Sequence, residues 1–337
     1  MNKRIFKNIE WKILICVILL TIIGLVALYS ATIDDNLEEF KKQCIWLAVS
    51  IPIMVAIIFI DYNIIVRFAP YLYGLAIIML IIVLFTNPIN GAKSWFTIGG
   101  FTLQPAEISK IFVILFLSTI LVKVQKNSKQ EINKPLKLLT IISIVLLPTI
   151  LIAMQPDYGT AIAYIVSLIM ILFVSGIDKK YIIVSFLILI IALPIMYFFI
   201  LPEHAKSRID VYLNPEIDPR GAGYNIIQSK IAIGAGKLFG MGMFNGNQTH
   251  LGFLYPKTTD FIFSMIGEEF GFVTCGLIVV LYVVLITRAI NVAKTARDDL
   301  GSYIATGIIR NTIISYFRKY RNDNRTASNN RCTITIY

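Results

Sequence analysis

Charge is scarce in this chain, and histidine is almost missing. Only 15% of its 337 residues are Asp, Glu, Lys or Arg, where a soluble domain carries about 25%. That deficit excludes a disordered chain, a nucleic-acid module and an ordinary cytosolic enzyme. Only two histidines occur, His204 and His250. The four cysteines, Cys16, Cys44, Cys275 and Cys332, show neither metal-ligand nor redox spacing. The first three fall in apolar segments and read as small packing residues. There is no Cys/His or Ser/His arrangement and no phosphate-binding Walker loop. The catalytic vocabulary left over is carboxylates and basic groups.

What is abundant is apolar sequence. Hydrophobic residues make up 57% of the chain and the mean hydropathy is +0.74. Several apolar runs exceed the ~18 residues that a bilayer-spanning helix needs. Spans are predicted near 12–31, 43–60, 68–87, 108–124, 138–154, 159–175, 181–201 and 261–287, with a ninth beginning near 302. The first is too long for a secretory leader, and no small-x-small cleavage site follows it. The chain is therefore expected to be an all-α polytopic integral membrane protein.

The net charge of +11 fits Lys- and Arg-rich cytoplasmic connections better than a nucleic-acid partner. Lys3, Arg4 and Lys7 precede the first span. Lys123, Lys126, Lys129, Lys134 and Lys137 follow the fourth, Lys179 and Lys180 the sixth, and Arg288, Lys294 and Arg297 the eighth. All fall on one side if each span crosses once, which predicts a cytoplasmic N-terminus. Two connections on the opposite side are unusual. One, about 88–107, mixes glycines with Trp95, Phe96 and Phe101 and is expected to lie in the interface. The other, roughly 202–260, is the only long loop, and long ordered loops are usually functional.

Ionisable groups in or at the lip of a bilayer cost a few kcal/mol each, so each needs a reason. Glu107 and Lys110 stand three apart at the outer start of the fourth span, on one helical face. They read either as a structural ion pair or as a functional one. Asp157, in Gln155-Pro156-Asp157-Tyr158-Gly159, either caps the next helix or contacts substrate. In the long loop, Arg208 and Lys230 lie among glycines, a setting suited to an anionic phosphate or simply to solvent. Asp260 stands immediately before the eighth apolar run, as a helix cap or a catalytic group. Glu268 and Glu269 fall about two turns into that run, where a polar cavity is the natural explanation.

Four segments carry a family resemblance: GAKSWFTIGGFTLQPAEISK, MQPDYGTA, NPEIDPRGAGYNIIQSKIAIGAGKLFGMG and TTDFIFSMIGEEFG. Together, in order and across about 88–290, they resemble the SEDS family (shape, elongation, division and sporulation proteins). Residues Asn245 to His250 resemble its rod-shape branch more than the division or sporulation branches. The resemblance implies a SEDS-type helical bundle with one large extracytoplasmic loop, spanning residues 1–309. It implies an inverting glycosyltransferase that polymerises lipid II at the outer face of the bacterial cytoplasmic membrane during elongation and rod-shape maintenance. By the same resemblance Asp260 is the general base, and Glu107 with Lys110 is a functionally sensitive pair. Asp157, Glu268 and Glu269 fall on family motifs at the substrate site. Arg208 and Lys230 are assigned to the pyrophosphate by charge type. The implied partners are lipid II, a class B penicillin-binding transpeptidase and other elongation-complex proteins, with no nucleic acid. No cofactor is implied with certainty, though a divalent cation is compatible with the chemistry. Two other classes fit a polytopic chain, a lipid II transporter and a non-catalytic scaffold. The crowding of charge at the outer lip, away from mid-membrane, favours chemistry over transport.

The family likeness fades near Ile309, and residues 310–337 turn polar and basic. A basic tail is one reading. Codon arithmetic supplies another. With one choice of synonymous codons, residues 314–337 read one nucleotide later become FHILENIGMTIGLLPITGVPLPF, an apolar, family-like span. A frame change near Arg310 is therefore expected, leaving an inactive or poorly folded product. Resequencing decides it, because third-position bases that forbid the shifted reading remove the idea.

Overall fold

The computed structural model describes residues 9–87, 93–98, 101–200, 206, 210–211, 214–221, 223–254 and 256–309. Arg208 and the 310–337 segment, where the frame change is expected, lie outside the described residues.

The apolar runs form helices at the expected places. In chain order they are α1 (Trp11–Thr32), α2 (Glu38–Phe59), the short α3 (Tyr62–Arg67), α4 (Ala69–Ile82), α5 (Pro105–Val124), α6 (Pro135–Ala153), α7 (Tyr158–Val174) and α8 (Lys179–Ile195). Then follow α9 (Tyr224–Ala235), the single turn α10 (Asn247–His250), α11 (Ile262–Lys294) and α12 (299–309). Among the described residues, Trp11–Asp35, Glu38–Phe59, Pro135–Ala153 and Ile262–Lys294 are long and apolar enough to cross a membrane. Starts are set by local chemistry. Proline occupies the first turn of α5 and of α6, where its missing N–H costs nothing. α2 starts earlier than the apolar run alone suggests, because Glu38 and Glu39 suit a helix N-terminus.

The segment expected in the interface is different. Phe96–Ile98 (β1) and Phe101–Leu103 (β2) pair antiparallel, with Phe96 opposite Leu103. Phe-Thr-Ile and Phe-Thr-Leu flanking Gly99-Gly100 is a hairpin composition, aromatic and β-branched on either side of a glycine pair. The mixture of glycines and aromatics that suggested an interfacial segment says nothing of this pairing.

The helices sort into two compact units. One contains residues up to Phe59 and Ile195–Arg288. Its core joins Ala27, Leu28 and Ala31 of α1 to Ala232 of α9 and to Phe261, Ile262, Met265 and Ile266. Fully buried alanines allow the close backbone approach on which helix packing in a membrane depends. Cys16 and Cys275 are buried packing residues here, as expected. The other unit contains Ile60–Pro194 and Ala289–Ile314, built on Val113, Leu117 and Leu121 of α5, Ile141 and Val145 of α6, Tyr164 and Ile171 of α7, and Tyr303. The end of α5 is fastened by Gln125, which donates to Ser175 O at 2.7 Å and accepts from the Tyr303 hydroxyl at 2.6 Å.

Candidate active site

Each unit contains a polar cluster of its own. In the second unit, β2 runs straight into Gln104 and the start of α5. Gln104 Nε2 donates to Asp157 Oδ2 at 2.8 Å. The same oxygen accepts from the Thr160 hydroxyl at 2.7 Å, and Asp157 Oδ1 accepts from Thr160 N at 3.1 Å. Asp157 is thus the side-chain cap of α7, and it also holds the entry of α5 against that helix. Tyr164 adds a second tie, donating to Ala106 O at 2.8 Å. These contacts give Asp157 a role in folding: both carboxylate oxygens are engaged by the protein.

Glu107 and Lys110 do pair. Lys110 Nζ lies 2.9 Å from each Glu107 oxygen, with the lysine side chain 6% exposed and the glutamate 27%. A nearly buried ammonium needs a counter-charge, since removing one partner of such a pair costs about 3–5 kcal/mol. Reversing either residue alone is therefore expected to cost far more activity than reversing both. Strand synthesis by the two single variants and the double variant checks this; a double variant no better than the singles overturns the coupling.

In the first unit the decisive feature is a break in α11. Gly271 sits at φ 78° and ψ −179°, non-helical inside the run and in a region reserved for glycine. In an unbroken helix Phe272 N and Val273 N would donate to the carbonyls of Glu268 and Glu269. Here the 237–242 segment takes over all four groups. Phe272 N donates to Lys237 O at 2.9 Å and Val273 N to Leu238 O at 3.1 Å. Met241 N donates to Glu268 O at 2.9 Å and Gly242 N to Glu269 O at 3.0 Å. Irregular backbone survives at membrane depth only when it is satisfied this way. Gly240, at φ +86°, passes so close that a Cβ on it would lie 2.1 Å from Glu269 O. The glycines expected to cradle phosphate include at least this one, whose task is helix contact.

The paired glutamates follow from the same break. Glu268 is fully buried. Its Oε1 accepts from Gln248 N at 2.7 Å, and its Oε2 accepts from Thr249 N at 3.1 Å and the Thr249 hydroxyl at 2.6 Å. Glu269, 1% exposed, accepts from the Ser30 hydroxyl of α1 at 2.6 Å through Oε2 and lies 2.8 Å from His250 Nε2 through Oε1. All four oxygens have protein partners. Glu268 and Glu269 therefore act as internal anchors that hold residues 248–250 on α11 and α1. Sequence reasoning missed Ser30, Thr249 and His250 as their partners. The available signal was Ser30 and Asp34, one helical turn apart at the end of an apolar run.

The loop so anchored ends at Asp260, which is 8% exposed and followed by the fully buried Phe261. A carboxylate at the head of a long apolar helix, mostly shielded from water, has the setting of a general base. Lys230 is exposed on α9, while its neighbour Ser229 turns inward to within 2.8 Å of the Ser264 hydroxyl. Among the described residues, no group of three or more His, Cys, Asp or Glu is placed to hold a metal ion.

The model of a cell cycle protein family grouping FtsW, RodA and SpoVE matches residues 10–319, past Ile309, where the sequence reading let the likeness fade. The peptidoglycan glycosyltransferase MrdB of Escherichia coli K12 is 34% identical over 314 residues, covering 91% of this chain and 83% of that protein. The stage V sporulation protein E of Bacillus subtilis is 34% identical over 307 residues, covering 88% and 82%. Among solved structures, a chain from a study of how a peptidoglycan synthase complex coordinates polymerization and crosslinking superposes with a TM-score of 0.76. That chain is 24% identical, with 92% of this chain and 84% of the other covered. The rod shape determining protein RodA of Thermus thermophilus gives 0.64 at 22% identity, covering 92% and 82%. These two establish a shared fold.

Proposed function

The chain belongs to the FtsW/RodA/SpoVE family of multi-pass membrane proteins, and from that premise we propose that it is a peptidoglycan glycosyltransferase, polymerising lipid II into glycan strands during cell elongation. The observation that carries the reading is Asp260, buried at the head of α11 in the motif Thr258-Thr259-Asp260-Phe261-Ile262-Phe263. Its carboxylate takes the proton from the 4-hydroxyl of the incoming lipid II sugar. That oxygen forms a bond to the anomeric carbon of the growing strand, with inversion. The bond from the same carbon to the pyrophosphate breaks, and undecaprenyl pyrophosphate leaves with the electron pair. Lys230 and Arg208 are the basic groups proposed to steady the leaving pyrophosphate, by charge type. The Glu107–Lys110 pair orients the start of α5.

The Lys and Arg asymmetry supports a cytoplasmic N-terminus, and hence an outer-face position for the long loop and Asp260. A membrane-impermeant thiol label is expected to miss a Lys3→Cys tail in intact cells and to reach it after lysis. Labelling in intact cells overturns that orientation. A class B penicillin-binding transpeptidase is the proposed partner, working with other proteins of the elongation machinery.

The test of function is strand formation from lipid II by the purified chain with that partner in nanodiscs. Glycan strands whose yield vanishes without the chain are the expected result. Lipid II crossing a bilayer without polymerising would turn the reading towards transport.

A further inference from the structure

The chain's two histidines play no part in the chemistry above, yet one of them stands at the crossing of the anchored loop. His250 Nδ1 lies 2.8 Å from Asp34 Oδ2 and His250 Nε2 lies 2.8 Å from Glu269 Oε1. Both ring nitrogens thus face carboxylate oxygens, and ionised carboxylates only accept. The ring satisfies both as the doubly protonated imidazolium. We infer that His250 is a positioning residue for the polymerase reaction: as a cation it ties the outer end of α1 to α11 and so holds the 251–260 segment, which ends at Asp260, in its working place.

The surrounding charges fit this arrangement. From the end of α1 come Asp34 and Asp35, from α11 come Glu268 and Glu269, and from the segment itself comes Lys257. Lys257 Nζ is 3.8 Å from Asp34 Oδ2 and 3.6 Å from Asp35 Oδ2. Glu268 is occupied by the 248–249 backbone and the Thr249 hydroxyl, which leaves Asp34 and Glu269 to the ring. His250 and Lys257 therefore grip the acidic corner after α1 at two points of the same segment. The second point is three residues before Asp260. Burial by itself lowers the pKa of His250, but the hydrogen bonds to Asp34 and Glu269 outweigh it, and the net direction is upward from 6.5. A raised folded-state pKa means that the bridge is fully present below the unfolded value of 6.5 and is lost as pH rises through the folded one.

This inference rests on the polymerase reading, so its test uses one measurement that needs no substrate and one that does. The first is amide hydrogen exchange of residues 251–260 in the full chain, comparing wild type with His250→Gln at matched pH. Exchange in the variant is expected to be about tenfold faster at and below pH 6.5, the scale of losing one hydrogen bond between charged groups. The difference should close as pH rises through the histidine's raised pKa. Equal exchange at every pH, or a difference that ignores pH, overturns the inference whatever the chain catalyses. The second is the rate of strand synthesis against pH. Wild type is expected to lose rate as the ring deprotonates. His250→Gln is expected to be about ten- to a hundredfold slower in kcat, the cost of a misplaced group, and to lack that alkaline limb. A variant with the wild-type rate and limb overturns it. A wild-type chain that makes no strands, while the exchange result holds, overturns the polymerase reading instead.

Discussion

Asp260→Asn is expected to reduce strand synthesis by about 10²–10⁴-fold, the contribution a positioned general base makes, while leaving the fold intact. Asparagine has nearly the shape of aspartate and cannot take the proton from the attacking hydroxyl. The site is 8% exposed, so solvent hydroxide has little access to substitute for the missing base. Strand length and yield from lipid II, measured with the transpeptidase partner present, give the loss. Thermal unfolding in detergent shows that the variant still folds. Near-normal synthesis by a folded Asp260→Asn chain would remove the residue from the base role.

Gly271→Ala is expected to destabilise the fold strongly. The backbone there lies at φ 78° and ψ −179°, which costs a non-glycine residue about 1–3 kcal/mol in strain. The methyl would also meet Gly240 N at 2.3 Å and Leu238 O at 2.5 Å, so the 237–242 segment would have to leave the break. Four backbone hydrogen bonds would go with it, and in an apolar surrounding each abandoned group costs several kcal/mol. The variant should melt well below wild type, and its 237–242 amides should lose protection from hydrogen exchange. A chain with unchanged melting and unchanged protection would show that the break does not depend on glycine.

How far the site was legible before folding depends on the distance over which each interaction acts. Glu107 and Lys110 could be paired from spacing alone, because residues three apart share a helical face. Asp157 could be read as a cap for the same reason, since Thr160 is three residues away. Glu268 and Glu269 could be recognised only as an anomaly in an apolar run. Their partners lie 19 residues away at Thr249 and 239 away at Ser30. No periodicity links such positions. The break at Gly271 was hidden for a related reason: a glycine inside an apolar run is compatible with a continuous helix. Only the 237–242 segment, arriving from earlier in the chain, makes the broken form affordable.

The sequence by itself therefore determined the class of molecule, the positions of its apolar helices and the identity of the carboxylate at the head of α11. Each follows from transfer energies and short-range spacing, which depend on residue type and local order. The tertiary structure decided what the remaining carboxylates do. It gave Asp157, Glu268 and Glu269 their protein partners and brought His250 between Asp34 and Glu269. A buried carboxylate is defined by whichever donors the fold places within 3 Å of it, and the chain order carries no record of which those will be.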